Sequence, residues 1–120
     1  MTTATSIQTK LYIDGKWCDA LDGKTHAVIN PATEEVLWEV AYGSRAETKL
    51  ALEAAAKAMP AWQKLTSWDR AKILKKTADL MRERADAIAR VMTMEQGKPV
   101  VEARAEVMHS ADTFEWFAEE

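Results

Sequence analysis

The sequence has few cysteines and histidines, no long apolar run and little net charge. Its 120 residues include one cysteine, Cys18, which cannot form an internal disulfide and therefore favours a reducing, cytoplasmic location. No window is apolar enough for a signal peptide or a membrane span, so we expect no membrane partner. A net charge of −3 gives no reason to expect nucleic-acid binding. These exclusions leave one small domain, or part of one.

Motifs for nucleotide and transition-metal binding are also missing. No G-x-G-x-x-G occurs, and the G-K-P tripeptide at 97–99 lacks the earlier glycine and the following hydroxyl of a phosphate loop. His26 and His109 lie far apart, with no second ligand at metal-binding spacing. Cys18 has no indicated base or cation to activate it, so we interpret it as an inert thiol packed in a hairpin.

The first third of the sequence predicts two β-hairpins. Residues 11–13 and 16–18 are separated by Asp-Gly, a dipeptide that suits the positive φ angles of a two-residue turn. Two further apolar segments, 28–29 and 36–42, are separated by a loop that begins with Asn-Pro. We therefore expect a small β element between Leu11 and Tyr42.

From Ser44 onward the apolar period is helical. Ser44 and Glu47 form an S-x-x-E capping box, which marks a helix start. Pro60 is expected to end or kink the first helix. The second helix is long for a globular protein, and we suspect a break within 82–86. The pattern predicts three helical segments, near 45 to 59, 67 to 95 and 100 to 119.

Two further features of the sequence need explanations. One is the corner at 97–99, between the last two helical segments, and the other is the group of aromatic residues near the end of the chain. Gly97 suits a left-handed position after a helix, and Pro99 suits the first turn of the next one. Phe114, Trp116 and Phe117 require a covering surface, either a core or interface or, as an alternative, a ligand tunnel. The chain stops after them without a cap, so we expect a structure that is cut short.

Several segments taken together resemble the amino-terminal part of the NAD(P)-dependent aldehyde dehydrogenase family. They are "LYIDGKW", "VINPATEEVLWEVAYG", "PAWQKLTSWDRAKILKKTADLMRERADAIARVMTMEQGKP" and "FEWFAEE". The resemblance runs in order through almost the whole chain from Leu11. The pieces "T-x-E-Q-G-K-P" and "EWFAEE" most resemble the succinate-semialdehyde dehydrogenase branch.

The resemblance implies an α/β fold that is incomplete as a domain. Residues 11–120 would form the truncated amino-terminal part of the cofactor-binding domain, after a disordered segment at 1–10. The whole enzyme would be roughly four times this length. It would be cytoplasmic and would form a homo-oligomer.

The implied reaction is the oxidation of succinate semialdehyde, or a similar short aldehyde acid, to the carboxylate with NAD or NADP. In the family a cysteine thiolate attacks the aldehyde, hydride passes to the nicotinamide, and a glutamate activates the water that releases the acid. All of these groups lie downstream of this chain. We therefore expect no catalytic and no cofactor-binding residue here, and no activity from this chain alone.

One binding site is implied by the resemblance. Val28, Ile29 and Glu95 would border an alkali-metal site, because hard cations prefer backbone carbonyl and carboxylate oxygens. The alternative is that Glu95 simply ends a helix in solvent. The alternative function for the whole chain is a stand-alone helical protein-interaction module that performs no chemistry.

Overall fold

The computed structural model describes residues 7–120 and contains two antiparallel hairpins followed by four helices. The strands are β1 (Leu11–Ile13), β2 (Lys16–Cys18), β3 (Thr25–Ile29) and β4 (Val36–Ala41). The helices are α1 (Arg45–Lys64), α2 (Ser67–Glu83), α3 (Ala85–Gln96) and α4 (Val100–Glu119). The predicted order of short hairpins followed by helices is confirmed, and the number of helices is one more than predicted.

The first hairpin has the predicted turn. Both residues of the 14–15 turn have positive φ angles, 50° and 76°, as the Asp-Gly dipeptide indicated. Tyr12 lies opposite Trp17 on the exposed face, with ring centroids 4.8 Å apart. On the other face Leu11 lies opposite Cys18, and both are half-buried. The hairpin therefore presents one aromatic face to solvent.

The second hairpin contains an irregularity next to its loop. The pairing shifts between Val28 and Ile29, because Leu37 is an extra residue on β4. The loop is closed by Asn30, whose carbonyl accepts the N–H of Glu34 at 2.8 Å and whose side chain accepts the N–H two residues ahead. The end of β3 is thus set by both a bulge and an Asx turn.

The segment expected to be disordered, 1–10, is only partly covered, since residues 1–6 lie outside the described residues. Within the covered part, the carbonyl of Thr9 accepts the N–H of Ala41 at 2.7 Å. Lys10 forms an ion pair with Asp19 at 3.0 Å. These two contacts attach the start of the described chain to both hairpins.

Helix α1 does not end at Pro60, so the expected bound at 59 is wrong. The helix runs on to Lys64 and ends where the N–H of Leu65 bonds to the carbonyl of Trp62. Proline removes the donor that the carbonyl of Ala56 would otherwise receive. Ala56 and Pro60 are both exposed, so water can satisfy that carbonyl and the helix continues.

The long second segment is divided into α2 and α3, and the break suspected near 82–86 is confirmed. The break lies at Arg84, whose φ of −101° and ψ of 9° are not helical. The N–H of Arg84 still bonds to the carbonyl of Leu80. Beyond the break, Ala85 and Ala89 are buried. The small side chains that follow the break therefore lie in the interior.

The predicted left-handed corner is confirmed at Gly97. Its φ is 80°, and its N–H bonds to the carbonyl of Thr93 at 2.8 Å. A Cβ built on Gly97 would lie 3.0 Å from Cγ of Pro31 in the β3–β4 loop. The corner therefore contacts the second hairpin closely.

The interior is formed mainly by helices α2 and α3 packing along α4. Its buried apolar side chains are small: Ala78, Ala85, Ala89, Ala103, Val107 and Ala111. No large side chain is fully buried among the described residues, and many large apolar side chains are exposed. The radius of gyration is 17.0 Å, whereas a compact domain of this length would have about 14 Å. The described residues therefore do not enclose a complete core.

No helix within residues 7–120 combines the length and the apolar character that crossing a membrane requires.

Replacing Gly97 by alanine is expected to destabilise the chain more than the same change at Gly23. Both glycines have positive φ angles, 80° and 69°, so each substitution costs about 1 kcal/mol or more of backbone strain. A Cβ at Gly97 also meets Pro31, whereas a Cβ at Gly23 meets no atom within 4 Å. Urea unfolding measures this difference in stability as a difference between the midpoint shifts of the two variants, with the dependence of the unfolding free energy on urea unchanged. Equal shifts in the two urea midpoints would show that the contact with Pro31 does not affect the free energy of unfolding.

Candidate functional site

Two distant segments that carry the predicted cation-site residues are brought together by the fold. Val28 and Ile29 lie at the end of β3, immediately before the Asn30 loop. Glu95 lies in the last turn of α3, two residues before Gly97. Since Pro31 contacts the corner at Gly97, the two segments meet here. The site itself stays a prediction.

The chemistry of this region suits a hard cation. The ladder irregularity beside Val28 and Ile29 interrupts the regular pairing of backbone groups. Oγ1 of Thr93, one turn of α3 away from the corner, is buried and has no hydrogen-bond partner among the described residues. Glu95 is exposed. Backbone carbonyl, hydroxyl and carboxylate oxygens are ligands that alkali cations accept.

A transition-metal site would require a cluster of His, Cys, Asp or Glu side chains. Within residues 7–120, no group of three His, Cys, Asp or Glu side chains is placed to bind a metal ion. His26 lies on the second hairpin, with its ring 5.6 Å from that of Tyr42. His109 lies exposed on α4. Cys18 is half-buried on β2 and lies opposite Leu11, in the hairpin where we expected a packed thiol.

A buried carboxylate connects the loop between β2 and β3 to α1. Glu47 is 4% exposed, and its Oε2 accepts the N–H of Ser44 at 2.7 Å and the hydroxyl of Ser44 at 2.5 Å. The bond from the Ser44 backbone N–H, together with the Ser44 side chain accepting the backbone N–H of Glu47, forms the predicted capping box. Oε1 accepts the N–H of Leu21 at 2.6 Å. Sequence reasoning missed this last bond, because no local pattern relates Leu21 to a residue 26 positions away.

The donors around Glu47 stabilise its charged form. The hydroxyl of Ser44 has the largest effect, followed by the backbone N–H of Leu21 and the backbone N–H groups of Glu47 and Ser44. Together they lower the pKa of Glu47 from 4.5 to about 2. Among residues 7–120 the carboxylate forms no ion pair, and its bonds go to Ser44 and to backbone N–H groups, so its role is to hold these groups in place.

One of the aromatic residues of α4, Phe117, borders an open groove. Phe117 lines it together with Trp62, Trp68 and Leu74, from the end of α1 and the first turns of α2. Trp116 packs edge-on against Phe117, with ring centroids 4.9 Å apart. Trp116 and Phe117 are more than half exposed, at 58% and 60%, and Phe114 is 38% exposed. Within the described residues these side chains therefore form a surface and not a core.

Known proteins with similar sequences are enzymes of one family. Residues 17–120 match the aldehyde dehydrogenase family. A glutarate-semialdehyde dehydrogenase of Pseudomonas aeruginosa is 50% identical over 109 residues, which are 91% of this chain and 23% of that protein. A succinate-semialdehyde dehydrogenase of Escherichia coli, named for NADP(+), is 46% identical over 90% of this chain and 22% of its own length.

Solved structures agree with the sequence relatives. The chain superposes on an E. coli NADP-dependent enzyme with a TM-score of 0.91 and 44% identity, covering 93% of this chain and 23% of that one. It also superposes on a betaine aldehyde dehydrogenase of Staphylococcus aureus in complex with NAD+, with a TM-score of 0.89, 31% identity and the same coverage. The chain thus spans less than a quarter of the length of the curated relatives it matches.

Acid is expected to destabilise the chain in a window set by Glu47. Its pKa is lower in the folded chain, so its stabilising effect is complete above about pH 4.5 and is lost as the pH falls towards about 2. Glu47→Gln should lower the melting temperature at neutral pH. Within this window, the melting temperature of the variant should fall less steeply with decreasing pH than that of the parent chain. Asp22 and Asp69, whose pKa values are also lowered, should account for the residual slope.

The matched control is Glu53→Gln, a change at an exposed carboxylate of the same helix. It should leave the acid dependence as it is in the parent chain. If the melting temperatures of both variants fall with decreasing pH in parallel with that of the parent, the carboxylate of Glu47 does not hold Leu21 and Ser44 as described.

Proposed function

This chain belongs to the aldehyde dehydrogenase family, and we propose on that basis that it is the amino-terminal part of an oxidoreductase that converts an aldehyde to a carboxylate with NAD or NADP. The observation that carries the proposal is the family match across residues 17–120, together with 50% identity to a glutarate-semialdehyde dehydrogenase. In this proposal residues 11–120 contribute the first part of the cofactor-binding domain. The enzyme is cytoplasmic and homo-oligomeric.

The substrate class follows from what the relatives' names have in common. Glutarate semialdehyde and succinate semialdehyde each carry a carboxylate at the end opposite the aldehyde. A relative from Pseudomonas putida, 39% identical over 95% of this chain, is a 3-sulfolactaldehyde dehydrogenase, and its substrate carries a sulfonate. We therefore propose a short aldehyde with a distal anionic group, such as succinate or glutarate semialdehyde.

The described residues contribute structure to this reaction and not catalytic groups. When bound, the nicotinamide cofactor supplies the hydride acceptor. The thiolate nucleophile, the glutamate that activates water and the cofactor contacts belong, in this proposal, to other parts of the polypeptide. Cys18 is not the nucleophile, because it lies within a hairpin opposite Leu11 and no activating base is hydrogen-bonded to it among residues 7–120.

The exposed apolar surface supports a role as part of a larger enzyme. Trp62, Trp68, Phe114, Trp116 and Phe117 are all at least one-third exposed. Apolar surfaces of this kind are usually covered by another part of the protein or by a partner. The same surface is the observation that favours the second candidate function, a stand-alone helical module that binds a partner protein.

Activity measurements separate these two functions. We expect no reduced nicotinamide from the purified 120-residue chain with succinate or glutarate semialdehyde and either cofactor. The product of the complete open reading frame should oxidise at least one of the two, and Cys18→Ser should leave that activity unchanged. Activity of the 120-residue chain that depends on Cys18 would contradict the assignment of catalysis to other residues. An inactive product of the complete reading frame would favour the interaction module.

The cation site proposed at Val28, Ile29 and Glu95 predicts a specific ion effect. Sodium or potassium should raise the melting temperature above that in tetramethylammonium at equal ionic strength, because a bound cation stabilises only the folded state. Glu95→Gln should reduce this difference. Glu102→Gln, at an exposed acid in the first turn of α4, is the matched control and should keep it. Identical melting in all three salts would count against the site.

A further inference from the structure

The contacts between elements divide the described residues into two units. Helices α2 and α3 both pack extensively along α4. Helix α1 is as long as α4, at 20 residues each, but makes its main contact with the short strand β1. We call residues 66–120 the helical unit and residues 7–65 the amino-terminal unit.

The helical unit has an interior of its own. Six of its side chains are buried, and each of its three helices contributes at least one of them: Ala78, Ala85, Ala89, Ala103, Val107 and Ala111. Side chains this small allow helix axes to approach closely, so contact between backbones replaces contact between large side chains. In the amino-terminal unit only Ala20 and Glu47 are buried.

Ion pairs further connect the helices of this unit. The guanidinium of Arg82 on α2 reaches two carboxylates of α4, Asp112 at 2.8 Å and Glu115 at 2.5 Å. Arg104 on α4 pairs with Asp86 on α3 at 2.8 Å. The side chain of Arg82 is only 27% exposed, so its pairs are partly shielded from water. These contacts fix the position of α4 along both neighbours.

The two units are joined at few points. Among the ion pairs of residues 7–120, each one lies within a single unit. One side-chain hydrogen bond of this part of the chain crosses the junction, from Arg70 to the carbonyl of Leu65 at 2.9 Å. Pro31 also approaches Gly97 closely, and Trp62 at the end of α1 borders the open groove lined by Trp68 and Phe117 of the helical unit.

The amino-terminal unit depends on weaker elements. Its two sheets have two strands each, and the strands of the first are only three residues long. Isolated two-stranded sheets are marginally stable in water. The carboxylate of Glu47 connects parts of the unit that are far apart in sequence, because it bonds to backbone groups of both Leu21 and Ser44.

We infer that the chain opens in two steps: the helical unit unfolds as one cooperative block, and the amino-terminal unit separates from it at a lower free energy. Elements that share an interior and ion pairs must lose them together, whereas elements that share neither with the rest can open independently. The unit boundary lies at the 65–66 junction and at the contact between Pro31 and Gly97. This inference does not rest on the proposed function.

Hydrogen exchange on the intact 120-residue chain, followed by mass spectrometry at low protein concentration, tests the inference. The most protected amides of α2, α3 and α4 should share one high protection factor, the ratio of the intrinsic to the observed exchange rate. Amides of the hairpins and of α1 beyond its first turn should have protection factors at least about tenfold lower. A common protection factor across residues 7–120, higher protection in the amino-terminal unit, or no protection in any element would each overturn the inference.

Variants in each unit sharpen the test. Glu47→Gln should accelerate exchange in the amino-terminal unit and leave the helical unit as it was. Ala89→Asp, at a buried position, should accelerate all three helices together, and Ala89→Ser serves if the aspartate variant does not fold. Ala87→Asp, at an exposed position of the same helix, is the matched control and should change neither unit. Equal acceleration of both units by Glu47→Gln would show that the chain is one cooperative unit.

Discussion

Helix α4 lies close to α2 and α3 because the side chains at the centre of the contact are small. Ala103, Val107 and Ala111 recur every four residues on α4 and face the buried alanines of its neighbours. This spacing lets Arg82 and Arg104 reach carboxylates on facing helices. The corner at Gly97 immediately precedes α4, and Pro31 of the second hairpin approaches this corner closely.

The features that local sequence predicts are those whose cause is local. The Asp-Gly turn, the capping box of Ser44 and Glu47 and the left-handed Gly97 each follow from residues within a few positions of one another, and each is present. The continuation of α1 through Pro60 was not predictable in this way. It depends on solvent reaching a carbonyl one turn earlier, which is a property of the assembled fold.

Long-range contacts set the remaining features. The length of the second predicted helix indicated a break near 82–86, but its position at Arg84 accompanies the burial of Ala85 and Ala89 beyond it. Nothing near Glu47 in the sequence indicates that it accepts the N–H of Leu21. For the candidate cation site, the residues came from family resemblance, whereas the contact between Pro31 and the corner came from the structure.

In the enzyme that we propose, residues 7–120 contribute structure, and the catalytic groups lie in other parts of the polypeptide. The most direct measurement is alkylation by iodoacetamide of the product of the complete open reading frame, with the modified cysteine mapped by mass spectrometry. Our account predicts that inactivation follows modification of a cysteine outside residues 1–120, and that succinate or glutarate semialdehyde protects that cysteine. Inactivation that follows modification of Cys18, with protection by the same aldehydes, would contradict it.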